Sequence, residues 1–211
     1  MPSNHAGRRE LSAGRQAKKR GPMLLTGFEP FTSGQGLVLD DNPTAHIVGR
    51  VAARMPGLQS AVLPVSYERT PLALQRQFDE HQPQVWLGLG YAPHRTTLDI
   101  EVIALNIAHA ERGDNDGSRP FNREVIPGAP AAYRTRLPVA EILDKFATHG
   151  VEARAAFHAG TFLCNLVFYL GCHRCEQGKM SLAAFIHVPP MEHYGDFEDG
   201  LSEVLKSLRP T

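Results

Sequence analysis

Short apolar runs alternate along this chain with longer stretches in which apolar residues recur every three or four positions. Met23 to Thr26 reads as a short strand. Asn42-Pro43-Thr44 opens a helix running to about Arg54, and Pro43 fits its first turn, where a missing N–H costs little. Met55-Pro56-Gly57 ends it. Ala61 to Val65 reads as a strand, and Thr70-Pro71 begins a helix with Leu72, Leu74 and Phe78 as its apolar positions. Val85 to Leu89 is a short apolar strand. From Thr97 to Asn106 the period is two: Leu98, Ile100, Val102 and Ala104 alternate with Asp99, Glu101, Ile103 and Leu105, which predicts one strand with a carboxylate inside it. Residues 107–130 are polar, with Gly and Pro, and read as a long loop. Val139 to Thr148 is a helix stopped by Gly150. Glu152 to Phe157 is a strand. Gly160 leads into a helix from Phe162 to about Leu170. Leu182 to Val188 is a strand, and Phe197 to Leu208 is a closing helix.

Strands alternating with helices predict an α/β fold: a single three-layer domain, a mostly parallel sheet with helices on both faces. There is no internal repeat and no second domain. In such folds sites gather beyond the carboxyl ends of the strands. The loops to search are therefore Gly27–Phe31, Gly90–Arg95, Ala159–Asn165 and His187–Pro190.

Composition narrows the function classes. The chain's 211 residues suit one well-buried domain. Residues 1–22 hold six basic residues and one acidic residue, with almost no large apolar groups. They read as a disordered basic extension, either a binding arm or a dispensable leader, before an α/β domain over residues 23–211. The whole chain has zero formal net charge, so it makes no electrostatic case for nucleic acid or an acidic membrane. No apolar run is long enough to span a bilayer, and no secretory signal follows the basic start. Three cysteines do not make a disulfide framework and suit a reducing cytoplasm.

Against this background three residues stand out. Cys164 falls at the start of a helix that follows a strand and a turn. The helix dipole there favours a thiolate and can lower a thiol pKa from about 8.5 to roughly 3.5–7.5. The bland alternative is a small buried cysteine packing a helix. His187 ends an apolar strand, where it is either a general base or a core-edge histidine bonded to backbone. Glu101 lies inside an apolar strand. It either orients an imidazole, faces solvent, or forms a structural ion pair with a residue such as Arg95. Gly90 and Arg95 are candidates for stabilising an oxyanion, through backbone N–H groups or a cation. Phe28 and Phe31, on a loop, either wall a small apolar pocket or pack over the sheet edge.

Other chemistries lack support. Cys172-His173-Arg174-Cys175 has no second ligand pair for zinc and follows the expected helix end rather than opening a helix. Phosphate-loop, dinucleotide, zincin and serine-elbow motifs are absent from the sequence.

Read together, several segments resemble the pyroglutamyl-peptidase I family, the pyrrolidone-carboxylate peptidases. They are Thr26-Gly27-Phe28-Glu29-Pro30-Phe31; Gly90 through Arg95 followed by Glu101 and Ala104-Leu105-Asn106; Ala159 through Asn165; and Phe185-Ile186-His187-Val188-Pro189. Asp114-Asn115-Asp116-Gly117 and Pro130-Ala131-Ala132-Tyr133 match more weakly. The order is the family's, and the resemblance runs from about residue 23 to the end. It departs from the family at Pro93-His94, at Val102 and in a longer loop 32–41, which leaves Asn42 without an assigned role.

The resemblance implies a cysteine exopeptidase with Cys164, His187 and Glu101 as its triad. It implies a peptide substrate whose N-terminus is a 5-oxoproline ring, held by Phe28, Phe31, Arg95 and Phe162. Such a ring carries no α-ammonium and asks for an apolar slot with a few hydrogen bonds. The backbone near Arg95 and the Cys164 N–H are the expected oxyanion donors. No metal and no cofactor are implied, and a homo-oligomer, a tetramer by resemblance, is. Three rivals remain: a cysteine amidase of the same fold acting on a different small acyl group, a non-catalytic protein that keeps the fold, and a nucleic-acid-associated protein using residues 1–22.

Overall fold

The computed structural model describes residues 21–32 and 38–209. The expected basic extension, apart from Gly21 and Pro22, lies outside the described residues, as do residues 33–37 of loop 32–41.

Among the described residues, ten strands and five helices follow in order: β1 Met23–Phe28, β2 Phe31–Thr32, β3 Val38–Leu39, α1 Pro43–Arg54, β4 Leu58–Leu63, α2 Arg69–His81, β5 Val85–Tyr91, β6 Leu98–Glu101, β7 Ile103–Leu105, β8 Ala132–Arg134, α3 Val139–Thr148, β9 Ala153–Ala156, α4 Leu163–Glu176, β10 Leu182–Val188 and α5 Gly195–Ser207. Six of the strands form one sheet in the order β4-β1-β5-β10-β6-β9. Every neighbouring pair is parallel except β10 and β6, which are antiparallel. Helices α1, α3 and α5 cover one face, and α2 and α4 the other. This is the expected three-layer α/β domain.

The strands' period of two sorts the core into two clusters. Leu25, Leu87, Leu89, Ile100, Ile186 and Val188 join the cluster under α1, α3 and α5. Leu24, Trp86, Ala183 and Phe185 join the one under α2 and α4. Asn42 caps α1 as its position before Pro43 implies, its Oδ1 accepting from the Thr44 N–H at 3.1 Å.

Several boundaries differ from the sequence reading. β4 starts three residues earlier than expected, because its edge position leaves Gln59 and Ser60 partly or fully exposed and breaks the apolar run. Leu72 is 66% exposed, so the buried face of α2 runs through Thr70, Leu74 and Phe78. The single strand 97–106 is two strands. At Val102 the chain leaves the main sheet, and β7 pairs instead with the short β8. Helix α4 continues past Gly171 to Glu176. That glycine admits Trp86, whose ring would lie 2.5 Å from any Cβ there. Cys172 and Cys175 are therefore buried helix residues, and burial raises both thiol pKa values. The 107–130 segment is an excursion pinned at its base by Asn106, whose side chain bonds the Ile126 N–H and carbonyl and the Ala129 carbonyl.

Candidate active site

The strand register brings the three candidate residues to one face of the sheet. In the antiparallel pair, His187 lies across from Asp99, which puts Glu101 on the same face one pleat deeper, beside Phe185. Both carboxylates are buried, Asp99 at 1% exposure and Glu101 at 0%. Glu101 is thus not a solvent-facing strand residue. Its Oε1 sits 2.7 Å from His187 Nδ1. A carboxylate only accepts, so Nδ1 carries the proton and Nε2 keeps its lone pair. Burial pushes the His187 pKa below its ordinary value, against the hydrogen bond and charge of Glu101. The imidazole is therefore neutral near pH 7.

Cys164 enters from the other layer. On the parallel side of β10, His187 is in register with Gly90 of β5. The Cys164 sulfur lies above Gly90, 2.8 Å from where a Cβ would stand, and the Phe185 ring would be 2.9 Å from the same point. Glycine at 90 leaves the space the sulfur occupies, and the Gly90 backbone is one strand spacing, about 4.8 Å, from that of His187. Two devices fix the approach. Gly160, at φ 78°, turns the chain from β9 towards α4 in a conformation that L side chains rarely adopt. The next residue after the cysteine, Asn165, is fully buried; its Oδ1 accepts from the Leu105 N–H at 2.8 Å, and its Nδ2 donates to the Leu105 and Ile107 carbonyls at 2.8 and 2.9 Å. The sequence motif contains Asn165 but gives no sign of this anchoring role.

The electrostatics at Cys164 differ from the helix-start expectation. Burial first, and the charge of Glu101 second, push the thiol up to about 12, against Arg95 and the cysteine's own backbone N–H. Desolvation outweighs the helix dipole here. The resting pair is a neutral thiol and a neutral imidazole.

Arg95 points its guanidinium at the carboxylates rather than at a pocket. Its Nη1 donates to Asp99 and, at 2.8 Å, to Glu101. Its backbone N–H is already bonded to the Ala92 carbonyl at 3.0 Å, which removes it as an oxyanion donor. The ion pair with Arg95 and the contact with His187 thus coexist on one carboxylate. Arg154 of β9 completes the group, its Nε 2.6 Å from Asp99. Burial works to raise the Asp99 pKa, but Arg154 and Arg95 outweigh it and hold the carboxyl below its usual range. The sequence held one clue to Asp99, a second acid two residues before Glu101 on the same strand face.

At the first turn of α4, Phe162 occupies the N-cap position and supplies no side-chain acceptor. The N–H groups of Leu163, Cys164 and Asn165 have no intrahelical partner by construction. Groups of this kind at a helix start are available to a developing oxyanion beside Cys164.

Beside Cys164 lies a narrow slot walled by Phe28, Phe31, Val65, Tyr91 and Phe162, with Asn42 on its lining. Phe28 ends β1 and Phe31 opens β2 rather than lying on a loop, and the turn between them is held by Glu29, whose Oε1 accepts from the Val65 N–H at 2.9 Å and from Asn115 Nδ2 at 3.2 Å. Asp114 folds the turn that delivers Asn115, accepting from the N–H groups of Tyr67, Asp116 and Ser118. Among the described residues, no cluster of His, Cys, Asp and Glu is arranged to hold a metal ion. No helix among them is long and apolar enough to cross a membrane.

Comparison with known proteins completes the picture. The family pattern described as pyroglutamyl peptidase matches residues 22–200. A pyrrolidone-carboxylate peptidase of Gloeobacter violaceus is 39% identical over 170 residues, covering 79% of this chain and 80% of that protein. One from Thermococcus litoralis is 36% identical over 171 residues, covering 79% of this chain and 76% of that protein. Among solved structures, the pyrrolidone carboxyl peptidase of Thermococcus litoralis superposes with a TM-score of 0.78 at 30% identity, covering 88% of this chain and 92% of that one. A mutant pyrrolidone carboxyl peptidase of Pyrococcus furiosus gives 0.79 at 29% identity, covering 88% and 96%.

Proposed function

This chain belongs to the pyroglutamyl peptidase family, and from that premise we propose that Cys164, His187 and Glu101 are the groups with which it removes an N-terminal pyroglutamyl residue from peptides. The observation that supports this most is the stacking of the Cys164 sulfur over Gly90, the register partner of a histidine whose Nδ1 is held by Glu101.

The chemistry follows from the protonation states. As the Cys164 sulfur attacks the pyroglutamyl carbonyl, His187 Nε2 takes the thiol proton. Glu101 stabilises the imidazolium that forms and keeps Nδ1–H in place. The carbonyl oxygen, now carrying charge, meets the free N–H groups at the first turn of α4. Collapse of the tetrahedral intermediate breaks the C–N bond. His187 delivers its proton to the departing amine, leaving a thioester on Cys164. Water, deprotonated by His187, then attacks the thioester and releases pyroglutamate and the thiol. Starting from a neutral pair, the proton moves during attack instead of residing beforehand on the histidine.

The slot between Phe28, Phe31 and Phe162 suits a small uncharged ring, and none of the described residues lining it offers a carboxylate to an α-ammonium. Arg95 acts in this scheme through Glu101, as a positioning residue. The three free cysteines fit a reducing, cytoplasmic setting. Exposed Phe121 and Phe157 fit a homo-oligomer, which light scattering would test.

The deciding assay compares a pyroglutamyl-coupled fluorogenic amine with its uncyclised glutaminyl analogue. Only the pyroglutamyl compound should release fluorophore, and iodoacetamide should stop it. Turnover of the uncyclised compound alone would overturn the substrate assignment.

A further inference from the structure

A second, larger pocket adjoins the slot beside Cys164. It has a volume of about 310 Å³ and shares two walls with the slot, Phe31 and Phe162. Its remaining wall is the segment His109 to Gly113 together with Thr161. The slot is far smaller, about 30 Å³. A carbonyl under attack by Cys164 has its acyl group on one side and its leaving amine on the other. With the ring in the slot, the Phe31–Phe162 wall divides the two, and only the larger pocket has room for the chain that departs.

We infer that this pocket binds the residue following pyroglutamate, and that it favours an aromatic or other planar side chain there. The inference rests on Cys164 as the attacking atom. The preference comes from the walls: three ring systems, Phe31, Phe162 and His109, line the space together with small Ala110 and Gly113. Flat rings enclosing a cavity of this size recognise another ring by stacking and edge contacts.

The pocket is also fastened to the nucleophile. The His109 N–H donates to the Thr161 carbonyl at 3.0 Å, and the Thr161 hydroxyl donates back to the His109 carbonyl at 3.1 Å. Thr161 stands three residues before Cys164, so the outer wall and the attacking sulfur share one turn of chain. Tyr67 braces the joint. Its ring meets Phe162 edge-on at 5.4 Å, and its hydroxyl lies 3.4 Å from the His109 and Thr161 carbonyls. The His109 ring is held edge-on against Phe121, centroids 5.2 Å apart. Glu111 and Arg112 lie exposed on this wall with opposite charges, so the pocket carries no net preference for a charged residue.

The test is steady-state hydrolysis of pyroglutamyl-phenylalanine amide and pyroglutamyl-alanine amide by the full chain. The wild-type kcat/KM should favour the phenylalanine compound by about 2- to 12-fold, the range one aromatic contact provides. Two variants locate the effect. His109→Ala removes a ring wall, and Ala110→Trp fills the space; each should bring the ratio towards 1 or below. Because a ratio of two substrates is measured on the same preparation, partial misfolding of either variant does not mimic the result. A wild-type ratio of 1 or less, or a preference that survives both variants, would overturn the pocket assignment while leaving pyroglutamyl hydrolysis in place. Failure to cleave either compound would overturn both.

Discussion

The two faces of the central sheet are built from the same strands and by opposite rules. On the α1, α3 and α5 face, β5, β6 and β10 present Leu87, Leu89, Ile100, Ile186 and Val188, all at 0% exposure and all apolar. On the α2 and α4 face the alternate residues include Gly88, Gly90, Asp99, Glu101 and His187 beside the apolar Trp86, Ala183 and Phe185. The first face is filled by side chains of its own strands. The second is hollowed by two glycines; the Phe185 ring of β10 folds across them, and the Cys164 sulfur arrives from outside the sheet on α4. It also buries two carboxylates beside arginines: Arg95 reaches both Asp99 and Glu101, and Arg154 reaches Asp99. Uniform apolar packing gives stability; the hollow and its charges give a place for chemistry. The faces should therefore answer substitution differently.

The largest difference should come from Glu101→Gln. The amide presents an N–H as well as an oxygen, loosening the Nδ1 proton, and Arg95 loses one of its two anions. A fall in kcat of about 10³- to 10⁴-fold is expected, with a much smaller change in KM. Leu87→Ala on the apolar face should do the reverse, costing about 2–5 kcal/mol of stability in urea melts while the folded fraction keeps its kcat. Gly90→Ala tests the hollow itself. The new methyl falls on the Cys164 sulfur and the Phe185 ring, so the sulfur must shift. A loss of roughly 10- to 100-fold in kcat is expected from such a displacement.

The smallest effects lie in pH dependence. Protonated His187 cannot accept the thiol proton, so kcat/KM should fall as pH drops through its folded pKa. Burial lowers that pKa, so the acid limb should lie below the ordinary histidine value of about 6.5. The unfolded chain binds this proton more readily than the folded one, so stability contributed by neutral His187 is present above about pH 6.5 and is lost as pH falls towards the folded value. Asp99→Asn removes a charge that raises the His187 pKa and should move the acid limb further down, by less than about one unit. At the alkaline end, alkylation of Cys164 by iodoacetamide should keep accelerating beyond pH 9, because the thiol is pushed up to about 12.

How much of this was legible in the sequence follows from range of interaction. Elements set by local signals came through: α1 from Asn42-Pro43, α3 from its apolar spacing and Gly150, and β10 from its unbroken apolar run. Cys164, His187 and Glu101 were legible as a set because each sits in a distinctive segment. What stayed hidden depends on partners distant in sequence. The alternation through Thr97–Asn106 continues unbroken while the strand changes sheets at Val102, since both pairings need the same period. Gly171 read as a helix stop because nothing local reveals Trp86 pressed against it. Arg95 read as a substrate or oxyanion group, or as an ion-pair partner of Glu101; the ion pair is what forms, and Asp99 joins it as a second acid that the alternation alone did not single out. The expected depressed thiol pKa failed for the same reason: the dipole is local, whereas the burial that overrides it is tertiary.

The central claim is that the hollowed face places one sulfur, that of Cys164, where it becomes acylated. Rapid acid quenching during turnover of a pyroglutamyl amide, followed by mass spectrometry of the digested chain, reads this directly. The account predicts one pyroglutamyl group on the peptide containing Cys164, removed by thioester-cleaving hydroxylamine and absent in Cys164→Ala, which no longer turns over substrate. An adduct on Cys172 or Cys175, or continued hydrolysis by Cys164→Ala, would contradict it.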